Sequence, residues 1–318
     1  MATTKTDTAN YRGELFLIGA NQTPFLSMIG GLNGGLRSTS FNFPLAQPWS
    51  LSSASQDVQS EDTAASAGTP TTITRAQDTN VCQIMKYDAE VTFKKQAQHG
   101  TMSGINTTAT NSVTNELAFQ KMGGLHQMAI NIEYSYLNGT YAADTTSASN
   151  AATRGITTAC TTNTVATGGG ALSKLYIDQL LRTMAANGSV FQNSVIFVNG
   201  WQKQAISDIY GYAPTDRNVG GLNIQQIETD FAILGIVYAP QMETDELLIA
   251  DLAFCNPVFV PVNFDGEDFN PDKMNGSDVL WVKTATTAAK KGGFFYTQTG
   301  ISYGPEEYHG TLTGLKNS

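Results

Sequence analysis

A catalytic or metal-binding reading of this chain has to start from its three histidines, His99, His126 and His309. They lie far apart, and none falls in an HExxH or comparable ligand spacing. His126 sits beside Leu125 in a helical pattern and reads as a packed or exposed side chain, not a ligand. Cys82, Cys160 and Cys255 form an odd, scattered set without a CxxC pair. They read as small buried hydrophobes of a reducing compartment, not as a disulfide frame or zinc site. The chain has no GxSxG elbow and no GxxxxGK[ST] loop. The glycines 168–170 ahead of Ser173-Lys174 look faintly like a phosphate loop, but they lack the GK[ST] ending and follow no apolar strand. Asp265, Glu267, Asp268 and Asp272 match no calcium-loop spacing and read as a solvated acidic loop. Lys94-Lys95 and Lys290-Lys291 read as solvated strand ends. No catalytic residue, metal site or cofactor is expected from this set, and the chain does not read as an enzyme.

The elements that would have to position any chemistry are more informative. The chain has 318 residues, enough for one large domain or two moderate ones. Only 14% of them are charged, and such a surface suits contact with further copies of the same chain. A net charge of −9 argues against a dedicated nucleic-acid binder. The best apolar run, 231–239, is far too short to cross a bilayer. Residues 1–10 lack the apolar core of a signal peptide, so the expectation is a soluble, cytoplasmic chain with no membrane contact.

The stretch 112–137 organises the rest. Ala118, Met122, Leu125, Ala129, Ile132 and Tyr136 alternate at spacings of four and three, which predicts one apolar stripe on a helix. Ser112 is the expected N-cap and Asn138-Gly139 the expected left-handed stop. Such a helix is roughly 39 Å long and should serve as a strut under a sheet. Gly123-Gly124 at its centre costs about 1 kcal/mol per glycine relative to alanine. The pair means either a slight kink or the close approach of another backbone.

Before the helix, 14–18 and 23–29 are short apolar patches separated by turn residues, and GGLNGG follows at 30–35. They form an arm lying on its own chain or a neighbour. Residues 38–44, with Phe41 and Phe43 on one face, predict a strand. A second alternating run at 80–94 carries Cys82 and Ile84, then Tyr87, Ala89, Val91 and Phe93. Its phase change near Lys86 predicts a bulge. The polar stretch 48–75 between the strands makes a long hairpin that reaches beyond its own domain. After the helix, 140–170 is a low-complexity connector. Ser173 then caps a helix with Ile177, Leu180, Leu181 and Met184 on one face and Leu172 as its staple. Residues 194–198 are a buried-type strand, and 200–209 a shorter helix bearing Trp201, Ile206 and Ile209. Strands at 221–227, 231–239, 246–251 and 254–262 complete an α+β domain. The last strands, 279–283, 293–303 and 307–315, should return to the first sheet beneath the long helix.

In this order the parts resemble the tailed-bacteriophage major capsid (major head) proteins with the HK97-like fold. TPFLSMIG at 23–30 looks like an arm segment of one branch of those proteins. ETDFAILGIV at 228–237, followed by LLIAD at 247–251, is similar to that branch's strand, loop and aliphatic strand. GPEEYHGTLTGL at 304–315 resembles its C-terminal strand. Tyr308 replaces an alanine of that pattern and Ala232 a glycine, while Ala239-Pro240-Gln241 stand where Asn-Arg is common. These departures bear on the branch more than on the fold.

The resemblance implies an α+β chain divided into an N-arm (1–37), an E-loop hairpin with flanking P-domain strands (38–98), a P-domain spine helix (99–140), a connector (141–170), an A-domain (171–262) and a return to the P-domain sheet (263–318). It implies self-assembly into pentamers and hexamers around phage DNA, which touches the shell only loosely. Scaffolding, portal and decoration proteins are the further partners it implies. It places the chain in the virion after assembly in the host cytoplasm. The hairpin tip should lie over a neighbour with Trp49, Asp57, Glu61 and Asp62 at the contact. Met122, Gly123, Gly124 and Leu125 should carry the spine packing, and the loops holding Tyr212, Pro240 and Glu243 should meet other subunits. Some relatives crosslink through a lysine and an asparagine; no residue here matches that pair. An encapsulin-type compartment, a β-rich tail adhesin and a hydrolase with a dispersed site are the rival readings.

Overall fold

The computed structural model describes residues 22–51, 54, 56, 58–66, 72–97, 115–147, 149–210, 226–262, 272–273, 278–285 and 288–317. The spine helix runs over Glu116–Asn138, 23 residues, about 35 Å of axis. Its N-cap is Asn115, whose side-chain oxygen accepts the amide of Ala118 at 3.1 Å. The expected cap, Ser112, lies outside the described residues. Gly139 ends the helix in an extended conformation with φ −58°, not in the left-handed one anticipated.

The buried face of this helix departs from the expected stripe. It passes through Gly124, Met128, Ile132, Glu133, Tyr136 and Leu137, whereas Ala118 is exposed and Met122 is 60% exposed. The face winds around the helix because its cover changes. The first half meets a sheet and the short helix Phe93–Ala97, while the second half meets that sheet, the arm, the helix Ile156–Ala159 and the Val195 and Phe197 side of a second sheet.

At Gly124 a Cβ would stand 2.8 Å from the Tyr87 ring and 3.2 Å from the Phe295 ring, whereas at Gly123 it would meet nothing within 4 Å. The reason for the second glycine is therefore the approach of two aromatic side chains; within the subunit the first has none. Gly123→Ala should raise stability by about 1 kcal/mol, and Gly124→Leu should lower it by about 1–3 kcal/mol through overpacking. Urea midpoints check both, and equal shifts at the two positions contradict this packing.

The first sheet is built on the strand Lys290–Ser302. Gln83–Thr92 pairs along one side of it, antiparallel, from Gln83↔Thr299 to Thr92↔Lys290 without a register slip. The bulge expected near Lys86 is therefore absent, and Ile84 is on the outer face, 57% exposed. On the other side lie Leu280–Lys283 and Asn256–Phe259, end to end, with Leu36–Arg37 parallel beyond the latter. Tyr87, Phe295 and Trp281 form a cross-strand aromatic row. Lys121 lies over Trp281 with its Nζ 4.1 Å from the ring centre. The spine helix thus rests on this row through Lys121 and Gly124.

The second sheet runs in the order Thr164–Ala166, Gly310–Thr313, Leu247–Asp251, Ser194–Val198, Ile233–Tyr238, Gln226–Glu228. Ser194–Val198 is buried throughout because it separates two cores. Val195 and Phe197 face the spine helix, while Ile196 and Val198 face the helix Lys174–Ala186. On that helix Ile177, Leu180, Leu181 and Met184 are all buried, as the spacing predicts. Ser173 occupies its N-cap position without a side-chain cap bond. In the helix Gly200–Tyr210, Ile206 is buried but Trp201 is 50% exposed.

Three strand assignments change. The stretch 254–262 does not stay in the second sheet; its strand Asn256–Phe259 joins the first. The last strand, Gly310–Thr313, joins the second sheet and not the first. The connector 141–170 contains the helix Ile156–Ala159 and the edge strand Thr164–Ala166.

Candidate assembly surfaces

The hairpin begins with Asn42–Pro44 against Thr79–Val81. Hydrogen bonds from Leu45 N–H to Asp78 O and from Ala76 N–H to Pro48 O carry the pairing outward to Trp49 and Arg75. Beyond them Ser60 caps a single helical turn, Glu61–Ala64, by accepting the Thr63 amide at 3.1 Å. Glu61 and Asp62 occupy its first turn, both exposed, where a helix favours negative charge. Asp57 lies outside the described residues. Trp49 is 60% exposed, Leu51 68%, Val58 75% and Ile73 59%. Single exposed apolar side chains are ordinary, but four on one arm, without a core among its described residues, make a surface open to a cover.

Asn80 fixes the base of this arm. It is fully buried, and its Nδ2 donates to the carbonyls of Arg154 (3.1 Å) and Ile301 (2.9 Å). Its Oδ1 accepts the amides of Val81 and Arg154, both at 2.9 Å. One amide side chain thus joins the hairpin, the connector and the central strand. Phe43, Cys82 and Val258 close the apolar side of the same joint.

The loop 240–245 folds back on its own subunit. Tyr134 on the spine helix donates its hydroxyl to Glu243 Oε1 at 3.2 Å, and Asn138 donates to the Gln241 carbonyl at 2.7 Å. Met242 is buried and Pro240 half-buried, and Gln202 donates to the Thr244 carbonyl at 3.0 Å. Glu243 thus bonds within its own subunit at the root of the second sheet while staying exposed; the contact with other subunits expected of Pro240 and Glu243 stands as a proposal. Tyr212 lies outside the described residues. In the spine, Gly124 and the half-buried Leu125 face the core, whereas Met122 and Gly123 face outward.

Several buried or half-buried polar residues escaped the sequence reading. Asp251 accepts the amides of Gln192 (2.8 Å), Asn193 (3.0 Å) and Ala253 (3.1 Å). His309 is fully buried. Its Nδ1 accepts the Asp251 amide at 3.1 Å and its Nε2–H donates to the Tyr303 carbonyl at 2.6 Å, an arrangement that requires the neutral ring. Glu306 accepts the amides of Thr161 (2.7 Å) and Thr162 (3.2 Å), clasping the turn before the edge strand. Their signal in the sequence was a polar residue inside an apolar pattern, as in LLIAD.

Burial holds His309 below its ordinary value. The folded chain therefore binds this proton more weakly than the unfolded chain does. The contribution to stability is full above about pH 6.5 and is lost as pH falls below it. Urea unfolding between pH 7.5 and 5 should show a steeper loss for the wild type than for His309→Gln, and parallel profiles contradict that assignment. Among the described residues no group of His, Cys, Asp and Glu is arranged to hold a metal ion, and no helix is long and apolar enough to cross a membrane. His126 is exposed, and His99 lies outside the described residues.

These features describe a subunit with an uncovered arm. The sequence matches the model of the SU10 major capsid protein family over residues 1–316. The chain belongs to that family. As a major capsid protein it is a shell-forming component of a phage virion, and its architecture is the HK97-like one. The fold is shared with the capsid subunit of cyanophage A-1(L), at a TM-score of 0.64 and 10% identity, covering 97% of this chain and 96% of that one. It is shared with the capsid of Myoviridae phage XM1, at a TM-score of 0.57 and 12% identity, covering 96% and 97%. The SrpI encapsulin of Synechococcus elongatus PCC 7942 also matches, at a TM-score of 0.52 and 9% identity, covering 88% and 85%. No curated protein matches the chain by sequence.

Proposed function

We propose that this major capsid protein builds its shell from pentamers and hexamers, with the hairpin of each subunit laid over a neighbour, and that the shell encloses double-stranded DNA. The observation that carries this reading is the arm on which Trp49, Leu51, Val58 and Ile73 stand uncovered. Chains of one kind that share a self-complementary surface close into symmetric assemblies. The acidic balance of the chain, −9 overall, suits loose contact with packaged DNA. Assembly in the host cytoplasm, with scaffolding, portal and decoration proteins as further partners and no catalysis by the subunit, completes the proposal. The spine helix and its aromatic row supply the rigid plate on which neighbouring arms bear.

Sedimentation velocity with negative-stain electron microscopy of the purified chain tests it. Closed shells, or discrete rings of five and six, support the reading; a monomer at high concentration, with and without a scaffold, overturns it. An encapsulin-type compartment shares the fold. Nuclease-protected DNA inside particles recovered from lysed host cells separates the two, since only a head encloses a genome.

A further inference from the structure

The short arm helix Pro24–Met28 is seated deep in its own subunit. Phe25 and Leu26 are buried, and Phe25 meets Phe197 of the second sheet edge to face, with ring centres 5.2 Å apart. Its seat includes one ionisable group. Glu133, on the spine helix, is fully buried. Its Oε2 accepts the amide of Leu26 at 3.1 Å, and the amide of Phe25 also bonds to the carboxyl. Its Oε1 has no partner and no access to solvent.

We propose that Glu133 is a proton-operated latch for the arm segment 24–29. With a proton on the partnerless oxygen, the carboxyl is neutral, accepts the Leu26 amide and holds the segment on the core. Without that proton, the carboxylate is a charge in an apolar enclosure, and it regains water only when the segment lifts. Among the described residues the enclosure offers no compensating cation. The arm segment 23–29 contains no titratable side chain, and neither does the strand Ser194–Val198. The core around it holds Tyr136, Tyr303, Cys160 and Cys255, whose hydroxyls and thiols burial keeps neutral. On the flank stand Tyr134, Glu243 and Glu246. On its own helix Glu116 and Lys121 lie further toward the N-terminus, and exposed His126 lies two turns away.

Burial pushes the Glu133 carboxyl up to about 7, against the two arm amides that lower it. The seated segment therefore binds the proton more tightly than the lifted one. Seating is full below the ordinary carboxyl value of about 4.5 and weakens as pH rises through about 7. This sign is opposite to that of His309. The inference concerns one subunit and stands whether or not shells form.

Hydrogen exchange of the full chain, read by mass spectrometry on peptides spanning 22–31 and corrected for intrinsic exchange, tests it between pH 5.5 and 8.5. Protection in the wild type should fall on the order of tenfold or more, while peptides from the helix Lys174–Ala186 change little. Glu133→Gln and the volume-matched Glu133→Met should flatten the profile, and His126→Gln should leave it as in the wild type. A flat wild-type profile overturns the latch. So does a pH dependence that survives in both Glu133 variants, or one that disappears with His126→Gln.

Discussion

Asn80→Asp should destabilise the subunit by about 3–5 kcal/mol at neutral pH, the cost of leaving a buried charge without a partner. The substitution keeps the shape of the side chain and inverts half its chemistry. The amide that donates to the carbonyls of Arg154 and Ile301 becomes an oxygen aimed at two other oxygens. The acceptor side is unchanged, so the amides of Val81 and Arg154 keep their partner. Water cannot relieve the conflict because the site is fully buried. Protonation can, since a neutral carboxyl donates to one of the two carbonyls. The deficit should therefore shrink as pH falls toward 5. Urea unfolding at two pH values measures it, and a loss under 1 kcal/mol at neutral pH contradicts the role given to Asn80. The same joint sets the angle of the hairpin, so any folded fraction should also assemble poorly.

Trp49→Ser, Leu51→Ser and Ile73→Ser together should leave the subunit folded and abolish assembly. Each side chain is more than half exposed, and surface changes of this kind usually alter folding stability by about 0.5 kcal/mol or less. At a subunit contact the balance differs. Burying a large apolar side chain contributes about 1.5–3 kcal/mol. Losing even half of that total at each contact weakens it by about fortyfold or more. A shell repeats the contact at every subunit, so the deficit compounds. The check is the fraction of protein sedimenting as particles, beside a circular dichroism spectrum unchanged from the wild type. Normal particle yield from the triple variant contradicts the hairpin as the assembly arm.

Periodicity in the sequence made some elements readable and left others hidden. Ile177, Leu180, Leu181 and Met184 lie where a 3.6-residue repeat puts them, because one face of their helix meets one sheet. The spine helix has a cover that changes along its length, so a single stripe describes only its second half. Alternation marked 254–262 and 307–315 as strands but could not assign their partners. A two-residue repeat records which face is buried and not which neighbour buries it. Each strand was therefore placed in the other's sheet. For the assembly surfaces, the sequence pointed to the hairpin and to Trp49, while Leu51, Val58 and Ile73 are scattered through 48–75, which reads as polar throughout. Asn80 and Glu133 were hidden for the opposite reason. Buried polar groups are rare, and nothing in local spacing shows that four hydrogen bonds await one of them or that an arm helix rests on the other.

The account depends most on the hairpin being covered by a different subunit. Cryo-electron microscopy of assembled particles, at a resolution that traces side chains, tests this most directly. The expected result is Trp49, Leu51 and Ile73 buried against a neighbour, with Glu61 and Asp62 beside its basic groups. A hairpin standing free in solvent on the particle, or folded back on its own subunit, contradicts the account.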